Sequence, residues 1–289
     1  MEGAYYNGQY LNRLERLGYS QAEIDNKLES TFEEMFYGPE GVRLCHCAGP
    51  DMMYIEDTGN HDVRTEGMSY AMMFCVQMNR QKEFDCLWRW VVTHMYLTEG
   101  ENAGYFAWSC HTDGSKNSDG PAPDGEEFFA MSLFFAANRW GSGEGVLDYA
   151  SWARRILHAC VHKGEEAGSG FPMWNPENHL IKFIPNCEFT DPSYHLPHFY
   201  ELFALWSDEC DRPFWHAAAA ASRQYLRKAC HARTGLSAEY AEYDGRPHRG
   251  DQPDRHDWFF SDAYRTLGNI ALDAQWSVSY THLTLPTTS

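Results

Sequence analysis

Two acidic residues far apart in the chain each lie beside an arginine and among aromatic or apolar side chains. Glu66 follows Arg64 and Thr65 and precedes a segment rich in methionine and aromatic residues, and Asp262 precedes Arg265 by three positions. Apolar surroundings favour the protonated form of a carboxyl, whereas a nearby arginine favours the ionised form. Such a pair can supply one general acid and one general base, the combination that hydrolysis of a glycosidic bond requires.

Each of these carboxylates also has a purely structural interpretation. Glu66 would lie in the first turn of a helix, where its negative charge is attracted to the helix dipole. Asp262 could cap a helix and form a surface ion pair with Arg265 at the i+3 position. Position alone favours the structural interpretation for both residues, so the chemical one depends on the rest of the sequence.

Four further residues could contact a sugar. Asp124 lies where a loop rich in Pro, Gly and Asp meets a predicted helix, so it could cap that helix or hydrogen-bond to sugar hydroxyls. Trp108 could stack on a sugar ring or fill the core. Tyr194 and Tyr200 follow a cap-like Asp-Pro pair and could line the same cleft. The residues alone leave these alternatives open.

The sequence does not predict a metal site. Cys45, His46 and Cys47 could begin one, but no second ligand pair follows at a matching spacing. His195 and His198 form a His-x-x-His pair, but they lack the acidic partner of a metalloprotease motif and a proline lies between them. We therefore expect no bound metal at either place.

The elements that must position these residues are mostly helices, because apolar residues recur at helical spacing and strand-like alternation is rare. The predicted helices lie at about 20–37, 65–79, 82–97, 126–139, 147–162, 192–207, 213–231 and 262–274. Several occur as neighbouring pairs, which is typical of a closed α/α barrel or an α-solenoid. Long loops at about 99–125 and 165–190 are expected to build the functional face.

Composition limits the classes of partner. The 289 residues carry a net charge of −18, which argues against nucleic acid or an anionic membrane as a partner. Aromatic residues make up 15% of the chain, which suits a cleft that stacks sugar rings. The nine cysteines are scattered and include no Cys-x-x-Cys pair, and no signal peptide or apolar membrane span is visible. We therefore predict a cytoplasmic protein with reduced thiols.

Five motifs together resemble glycoside hydrolase family 8, and they occur in that family's order. The motifs are Asp62–Tyr70, Tyr105–Trp108, Pro121–Glu127, Asp191–Pro197 and Phe260–Arg265. The resemblance extends from about residue 3 to residue 276 and is strongest to the members that release xylose from the reducing end of xylo-oligosaccharides. It implies an all-α (α/α)6 barrel and an inverting mechanism that needs neither a metal nor an organic cofactor.

The resemblance also implies roles for individual residues. Glu66 would be the general acid and Asp262 the general base that activates water. Asp124 would bind and distort the sugar in the −1 subsite, and Trp108 would stack on it. Arg265 would steady Asp262, and a xylo-oligosaccharide would be the partner.

The predicted catalytic domain spans residues 1–276, and residues 277–289 are predicted to be a non-native, adapter-like tail. The helices predicted before residue 277 number fewer than an (α/α)6 barrel uses, so we expect a barrel that is incomplete at its C-terminus. This expectation leaves two other functions open. One is an endo-acting xylanase or β-glucanase of the same family, and the other is a catalytically silent carbohydrate-binding α/α scaffold.

Overall fold

The computed structural model describes residues 3–165, 169–250 and 255–277, and helices dominate these ranges. Residues 278–289, which hold nearly all of the predicted non-native tail, lie outside the described residues. The α-helices of the described ranges are α1 (Ala4–Asn7), α2 (Arg13–Arg16), α3 (Gln21–Tyr37), α4 (Thr65–Gln77), α5 (Gln81–Trp90), α6 (Pro123–Trp140), α7 (Tyr149–His162), α8 (Pro197–Trp206), α9 (Arg212–Ala229) and α10 (Arg265–Trp276).

Helix α3 begins as its sequence predicts. The Ser20 hydroxyl accepts a hydrogen bond from the Glu23 backbone N–H, and the Glu23 carboxylate accepts one from the Ser20 N–H at 2.8 Å. This reciprocal capping box satisfies donors that a helix start otherwise leaves without partners. The side chains of Phe32 and Phe36 lie on one face of this helix and are buried in the core.

Successive helices from α4 to α9 pack as pairs, which confirms the predicted succession of helix pairs. Helix α4 packs on α5, α6 on α7, and α8 on α9. The first members of these pairs also contact one another in chain order, α4 with α6, α6 with α8, and α8 with α10. The result is a layer of α4, α6, α8 and α10 backed by α5, α7 and α9, as an (α/α)6 barrel requires.

Buried aromatic rings fill the space between the two layers. Trp88 of α5 contacts Phe106, Phe129 and Trp152 with ring centroids 5.4–5.9 Å apart. Tilted and edge-to-face arrangements of this kind add to the stability that burial provides. Most of the chain's tryptophans and phenylalanines therefore serve the core.

Two short antiparallel ribbons are the strands of the described residues. Strand β1 (Cys45–Cys47) pairs with β2 (Met53–Ile55), and β3 (Asp62–Arg64) pairs with β4 (Ser109–His111). Strand β3 runs directly into α4, so the β3–β4 pairing fixes where that helix starts. The loop at 99–125, predicted to belong to the functional face, is anchored to the barrel through β4.

Two predicted helices begin later than the sequence suggested. The segment predicted at 192–207 is a 3₁₀ turn (Pro192–Tyr194) followed by α8 from Pro197. Proline disfavours helical backbone in the residue before it and suits the first position of a helix, so α8 begins at Pro197. Likewise a 3₁₀ turn (Ser261–Tyr264) precedes α10. Tyr194 and Asp262 therefore lie in turns at helix starts.

Candidate active site

Glu66 occupies the first turn of α4, directly after strand β3. The Thr65 N–H donates to the Trp108 carbonyl at 3.0 Å, and the Thr65 hydroxyl donates to Glu66 Oε2 at 3.3 Å. Burial raises the pKa of Glu66 to about 7, and the negative charge of Asp124 adds to the shift. A carboxyl with this pKa is protonated in a large fraction of molecules at neutral pH, as a general acid must be.

Asp124 is the second residue of α6 and is almost fully buried. Its Oδ2 accepts a hydrogen bond from Arg265 Nη1 at 2.8 Å. Burial raises the pKa of Asp124, although the charge of Arg265 opposes that shift. The other oxygen, Oδ1, has no hydrogen-bond partner among the described residues. A hydroxyl donated by a bound sugar would satisfy this buried acceptor.

Helices α4 and α6 approach each other closely where these two carboxyls are attached. A Cβ atom at Gly125 would lie 2.5 Å from Thr65 Cβ, a separation that real Cβ atoms do not reach. Only glycine therefore fits at position 125 without movement of the neighbouring helix. This contact brings the start of α6, with Asp124, next to the start of α4, with Glu66.

Arg265 connects three parts of the chain from the first position of α10. Its Nη1 donates to the Tyr70 hydroxyl of α4 and to Asp124 Oδ2 of α6, each at 2.8 Å. Its Nη2 forms an ion pair with Asp262 Oδ2 at 2.8 Å. The guanidinium also lies 5.7 Å from the centre of the Tyr194 ring. A planar guanidinium suits such simultaneous contacts with carboxylates and aromatic rings.

Asp262 lies in the 3₁₀ turn before α10, and its side chain is 41% exposed. A general base must contact both water and substrate, so partial exposure suits it. The preceding Ser261 has φ +41°, which is uncommon for a residue with a side chain. The Ser261 hydroxyl hydrogen-bonds to the buried Glu239, which also pairs with His256 at 2.7 Å. These contacts stabilise the turn in which Asp262 lies.

The three carboxyls share one electrostatic environment. The charge of Asp262 contributes to the raised pKa of both Glu66 and Asp124. Glu66 is thus surrounded by two further acids and has a raised pKa, while Asp262 has Arg265 as its cation. The structure therefore brings together four residues that the sequence singled out, and their surroundings differ as an acid and a base would need.

Trp108 precedes strand β4 and is partly buried. The Arg64 guanidinium lies over its ring at 5.2 Å, and its backbone is tied to Thr65. The indole also lines a cavity of 280 Å³ together with loop residues such as Pro121 and Ile184. Because of the β3–β4 pairing, this aromatic surface has a fixed position relative to Glu66.

The two tyrosines predicted to bind substrate lie in different surroundings. Tyr194 is buried beside Arg265, and the charges of Asp124 and Asp191 add to the effect of burial in raising its hydroxyl pKa. Tyr200 is fully buried, and its hydroxyl donates to the Glu127 carboxylate and to the Tyr194 carbonyl. The expectation that Tyr200 lines the cleft is therefore wrong, because its hydroxyl supports the site from the core.

Several site residues were not singled out from the sequence. Tyr70 is tied to Arg265, and Asp191 accepts a hydrogen bond from the Ser193 N–H at 2.6 Å. Burial raises the pKa of Asp191 to about 8, an effect that the charge of Arg265 opposes. Buried carboxylates stand out only once burial is known, so the Asp-Pro signature could predict a cap but not this environment.

An apolar cavity of 370 Å³ adjoins the carboxyl cluster. Its lining includes Tyr70, Asp124, Phe128 and Arg265 from α4, α6 and α10, and also Ser193, Leu196 and Tyr264 from the segments just before α8 and α10. Glu66 does not line this cavity. Arg265 and its two partners, Tyr70 and Asp124, thus form part of the cavity wall.

The two histidines of the His-x-x-His pair are both buried. His195 is hydrogen-bonded through both ring nitrogens, to Thr190 Oγ1 at 3.0 Å and to Ser222 Oγ at 2.9 Å. Burial lowers the pKa of His195 to about 3 and that of His198 to about 4, so both rings are neutral.

Among the described residues, none of the helices combines the length and apolar character that a bilayer span requires.

A layered helical barrel with a cluster of carboxyls beside a buried arginine is typical of a glycoside hydrolase. The chain belongs to glycoside hydrolase family 8, because the family model for Glycosyl hydrolases family 8 matches residues 19–281. The helical hairpins described above are those of the family's (α/α)6 barrel.

Named relatives are similar over nearly the whole chain. The Reducing end xylose-releasing exo-oligoxylanase of Halalkalibacterium halodurans is 56% identical over 276 residues, which cover 95% of this chain and 70% of that protein. The structure of Rex8A from Paenibacillus barcinonensis complexed with xylose superposes with a TM-score of 0.93 at 57% identity, covering 95% of this chain and 73% of that one. Endoglucanase C of Ruminiclostridium cellulolyticum is 28% identical over 282 residues, covering 95% of this chain and 55% of that protein.

Proposed function

We propose that this protein hydrolyses β-1,4-xylosidic bonds in xylo-oligosaccharides with inversion and releases xylose from the reducing end. The observation that carries the proposal is the different setting of the two carboxyls. Glu66 has a pKa of about 7, whereas Asp262 is paired with Arg265. The names and the identity of the similar exo-oligoxylanases support xylo-oligosaccharides as the substrate class.

Glu66 acts on the leaving group. In its protonated form it donates its proton to the glycosidic oxygen as the bond from that oxygen to the anomeric carbon breaks. Burial and the charge of Asp124 keep the proton on Glu66 near neutral pH. The sugar on the reducing-end side then leaves as a neutral hydroxyl compound, which lowers the barrier to bond cleavage.

Asp262 acts on water at the opposite face of the sugar. Its carboxylate takes a proton from the water whose oxygen forms the new bond to the anomeric carbon. An inverting pair is expected to have its carboxyls about 6.5–9.5 Å apart, which leaves room for that water. Proton exchange with solvent afterwards returns a proton to Glu66 and removes the proton from Asp262. One water is consumed, and the β-linked sugar is released as the α-anomer.

Three further residues orient the sugar in this proposal. The unpaired Asp124 Oδ1 accepts a hydrogen bond from a hydroxyl of the −1 sugar and helps to distort its ring. Trp108 supplies an aromatic face for stacking. Arg265 holds Asp124 and Asp262 at fixed positions through contacts of 2.8 Å. Preorganised contacts of this kind raise the rate because they need no rearrangement during the reaction.

Xylotriose labelled at its reducing end tests this proposal. The parent protein is expected to release labelled xylose, and proton NMR of the first products should show the α-anomer at the newly formed reducing end. Asp262→Asn and Glu66→Gln should each slow release by at least about 100-fold. Release of unlabelled xylose, or a β-anomer as first product, would contradict the proposed specificity or mechanism.

An endo-acting xylanase or β-glucanase is the second candidate, because endoglucanases match the chain at lower identity. Polymeric xylan and mixed-linkage β-glucan distinguish the two activities. An exo-enzyme leaves the polymer's viscosity nearly unchanged, whereas internal cleavage lowers it early. A catalytically silent scaffold would bind xylotriose in a titration but would release no product.

We further propose that residues 1–276 form one catalytic domain, that residues 277–289 contribute nothing to it, and that the protein works in the cytoplasm. All nine cysteines are free thiols, which fits a reducing compartment. The charge of −18 disfavours nucleic acid as a partner. A chain ending at residue 276 is expected to keep the activity and melting temperature of the 289-residue chain, and fractionation of the source cells would test the location.

A further inference from the structure

Two histidines and a buried aspartate meet on a part of the barrel that the proposed reaction does not use. His158 and His162 lie one turn apart on α7, so their side chains share one face of the helix. Asp211 directly precedes α9, and its carboxylate is fully buried. One possible ligand atom from each of these three residues lies within 4.8 Å of those from the other two.

We propose that His158, His162 and Asp211 form a binding site for a divalent transition-metal ion, with Zn²⁺ as the best match. Two imidazoles and one carboxylate are a common ligand set for zinc. His158 Nδ1 lies 3.0 Å from Asp211 Oδ2, and His162 Nε2 lies 2.8 Å from Asp211 Oδ1. Both ring nitrogens thus already face the same carboxylate.

Small movements would convert these hydrogen bonds into metal ligation. Zinc bonds to nitrogen and oxygen are about 2.0–2.2 Å long. Ligand atoms around a tetrahedral ion are therefore separated by little more than the present spacing of the nitrogens and oxygens. The ion would take the place of the hydrogen-bonded proton on each ring nitrogen. A protonated imidazole would release that proton to solvent, and a neutral one would carry its proton on the other ring nitrogen instead.

Neighbouring groups orient and complete the ligand set. The second ring nitrogen of His162, Nδ1, lies 2.8 Å from Glu165 Oε2. Metal-binding histidines commonly donate their other N–H to a carboxylate in this way, which fixes the ring orientation. Cys210 Sγ lies 3.3 Å from Asp211 Oδ1, and the residue is exposed. Its thiolate or a water could therefore supply the fourth ligand.

Positive charges near His158 are already engaged. Arg154 and Arg155 line a cavity with His158 and Asp208. Arg154 donates to the Trp206 carbonyl at 3.1 Å and lies 3.8 Å from Asp208. The Arg155 guanidinium is stacked on Trp152 at 4.5 Å. Within the described part of the chain, these two arginines are therefore engaged elsewhere and do not compete with a cation for the Asp211 carboxylate.

The bound ion would crosslink α7 to the start of α9. A ligand that binds only the folded state raises the melting temperature. We expect saturating Zn²⁺ to raise the melting temperature by about 5 °C. The site lies apart from the Glu66 and Asp262 groups, so its test does not depend on the proposed hydrolase activity.

The experiment uses the 289-residue protein without a histidine tag, treated with a chelator and then dialysed. Titration with ZnCl₂ in a calorimeter and metal analysis after desalting should give one Zn²⁺ per chain. His158→Gln and His162→Gln should each lose both the bound zinc and the zinc-dependent rise in melting temperature. His216→Gln, at an exposed position of α9, is the matched control and should keep both.

Co²⁺ supplies a readout that does not depend on stability. A tetrahedral site with a thiolate ligand should give visible bands and a sulfur-to-cobalt charge-transfer band, and Cys210→Ser should remove only the latter. Absence of one-to-one binding to the parent would overturn the proposal. Equal zinc binding by the parent and by correctly folded His162→Gln, judged by circular dichroism, would place the ion elsewhere and would also overturn it.

Discussion

The Arg265 guanidinium donates to Asp124 at 2.8 Å and thereby joins the start of α10 to the start of α6. The Asp124 side chain is 3% exposed and that of Arg265 is 12% exposed, so water contributes little to the stabilisation of either charge. The same guanidinium is paired with Asp262. One cation thus sets the positions of both the proposed sugar-binding carboxylate and the proposed base.

Replacing Arg265 should impair both folding stability and catalysis. Arg265→Gln leaves Asp124 as a buried carboxylate without its cation, and we expect the free energy of unfolding to fall by about 3–5 kcal/mol. We expect kcat/KM to fall at least about 100-fold, because Asp262 loses the group that holds it. Urea unfolding and xylotriose assays measure the two effects. Arg246→Gln removes an exposed ion pair to Asp244 and should change stability by less than about 0.5 kcal/mol.

Loss of the proposed acid should depend on the leaving group. Glu66→Gln should lower kcat/KM for xylotriose by about 10²–10⁴-fold, because the departing oxygen is no longer protonated. Xylobiosyl fluoride needs no such proton, so the variant should hydrolyse it at nearly the parent rate, whereas Asp262→Asn should not. Equal losses on both substrates in Glu66→Gln would argue that Glu66 is not the acid. In the parent, kcat/KM should decline above about pH 7 as Glu66 ionises.

Folding stability should decrease from about pH 7 to about pH 8.5. The pKa values of Glu66, about 7, and Asp191, about 8, lie above the value of about 4 for carboxyls in an unfolded chain. The folded state therefore binds more protons, and the stability linked to them is fully present below pH 4 and is lost as pH rises through 7 and 8. Carboxyls with lowered pKa values act below this range. His195 and His198 also act below it, because their lowered pKa values make the unfolded state bind more protons up to about pH 6.5. Urea unfolding should show the decline, and Asp191→Asn should flatten it.

Two buried tyrosines should respond differently to loss of the hydroxyl. Tyr200 donates to Glu127, so Tyr200→Phe leaves a buried carboxylate without its donor and should cost about 1–3 kcal/mol. The Tyr225 hydroxyl is also buried but has no hydrogen-bond partner among the described residues. Tyr225→Phe should therefore be nearly neutral. Similar unfolding free energies for the two variants would show that the Tyr200 contact adds little.

The hairpin architecture could be predicted from the sequence because it depends on local patterns. The Ser20 capping box and the helical spacing of apolar residues each act within a few positions of the chain, and the structure confirms them. Tyr200 was misplaced because its aromatic type fits a cleft and a core equally well. Only the packing of α8 against α6 and α9 determines that its ring is buried.

The carboxyl cluster shows the limit of sequence prediction. Motif resemblance singled out Glu66, Asp124 and Asp262, but the raised pKa values of Asp191 and Glu127 arise from burial by distant helices. The histidine and aspartate cluster was missed for the same reason. His162 lies in α7 and Asp211 directly precedes α9, and no fixed spacing in the sequence connects them.

Arg265 contacts Tyr70 and Asp124 across 195 and 141 positions of the chain. Contacts of such long range form slowly, since much of the chain must be ordered before they can close. The hairpins of α4 to α9 need only local contacts, so circular dichroism would follow their early appearance during refolding. The rate of xylotriose hydrolysis would then report the docking of α10. The recovery of activity therefore reports when the last step of folding takes place. It should lag behind the recovery of helix content.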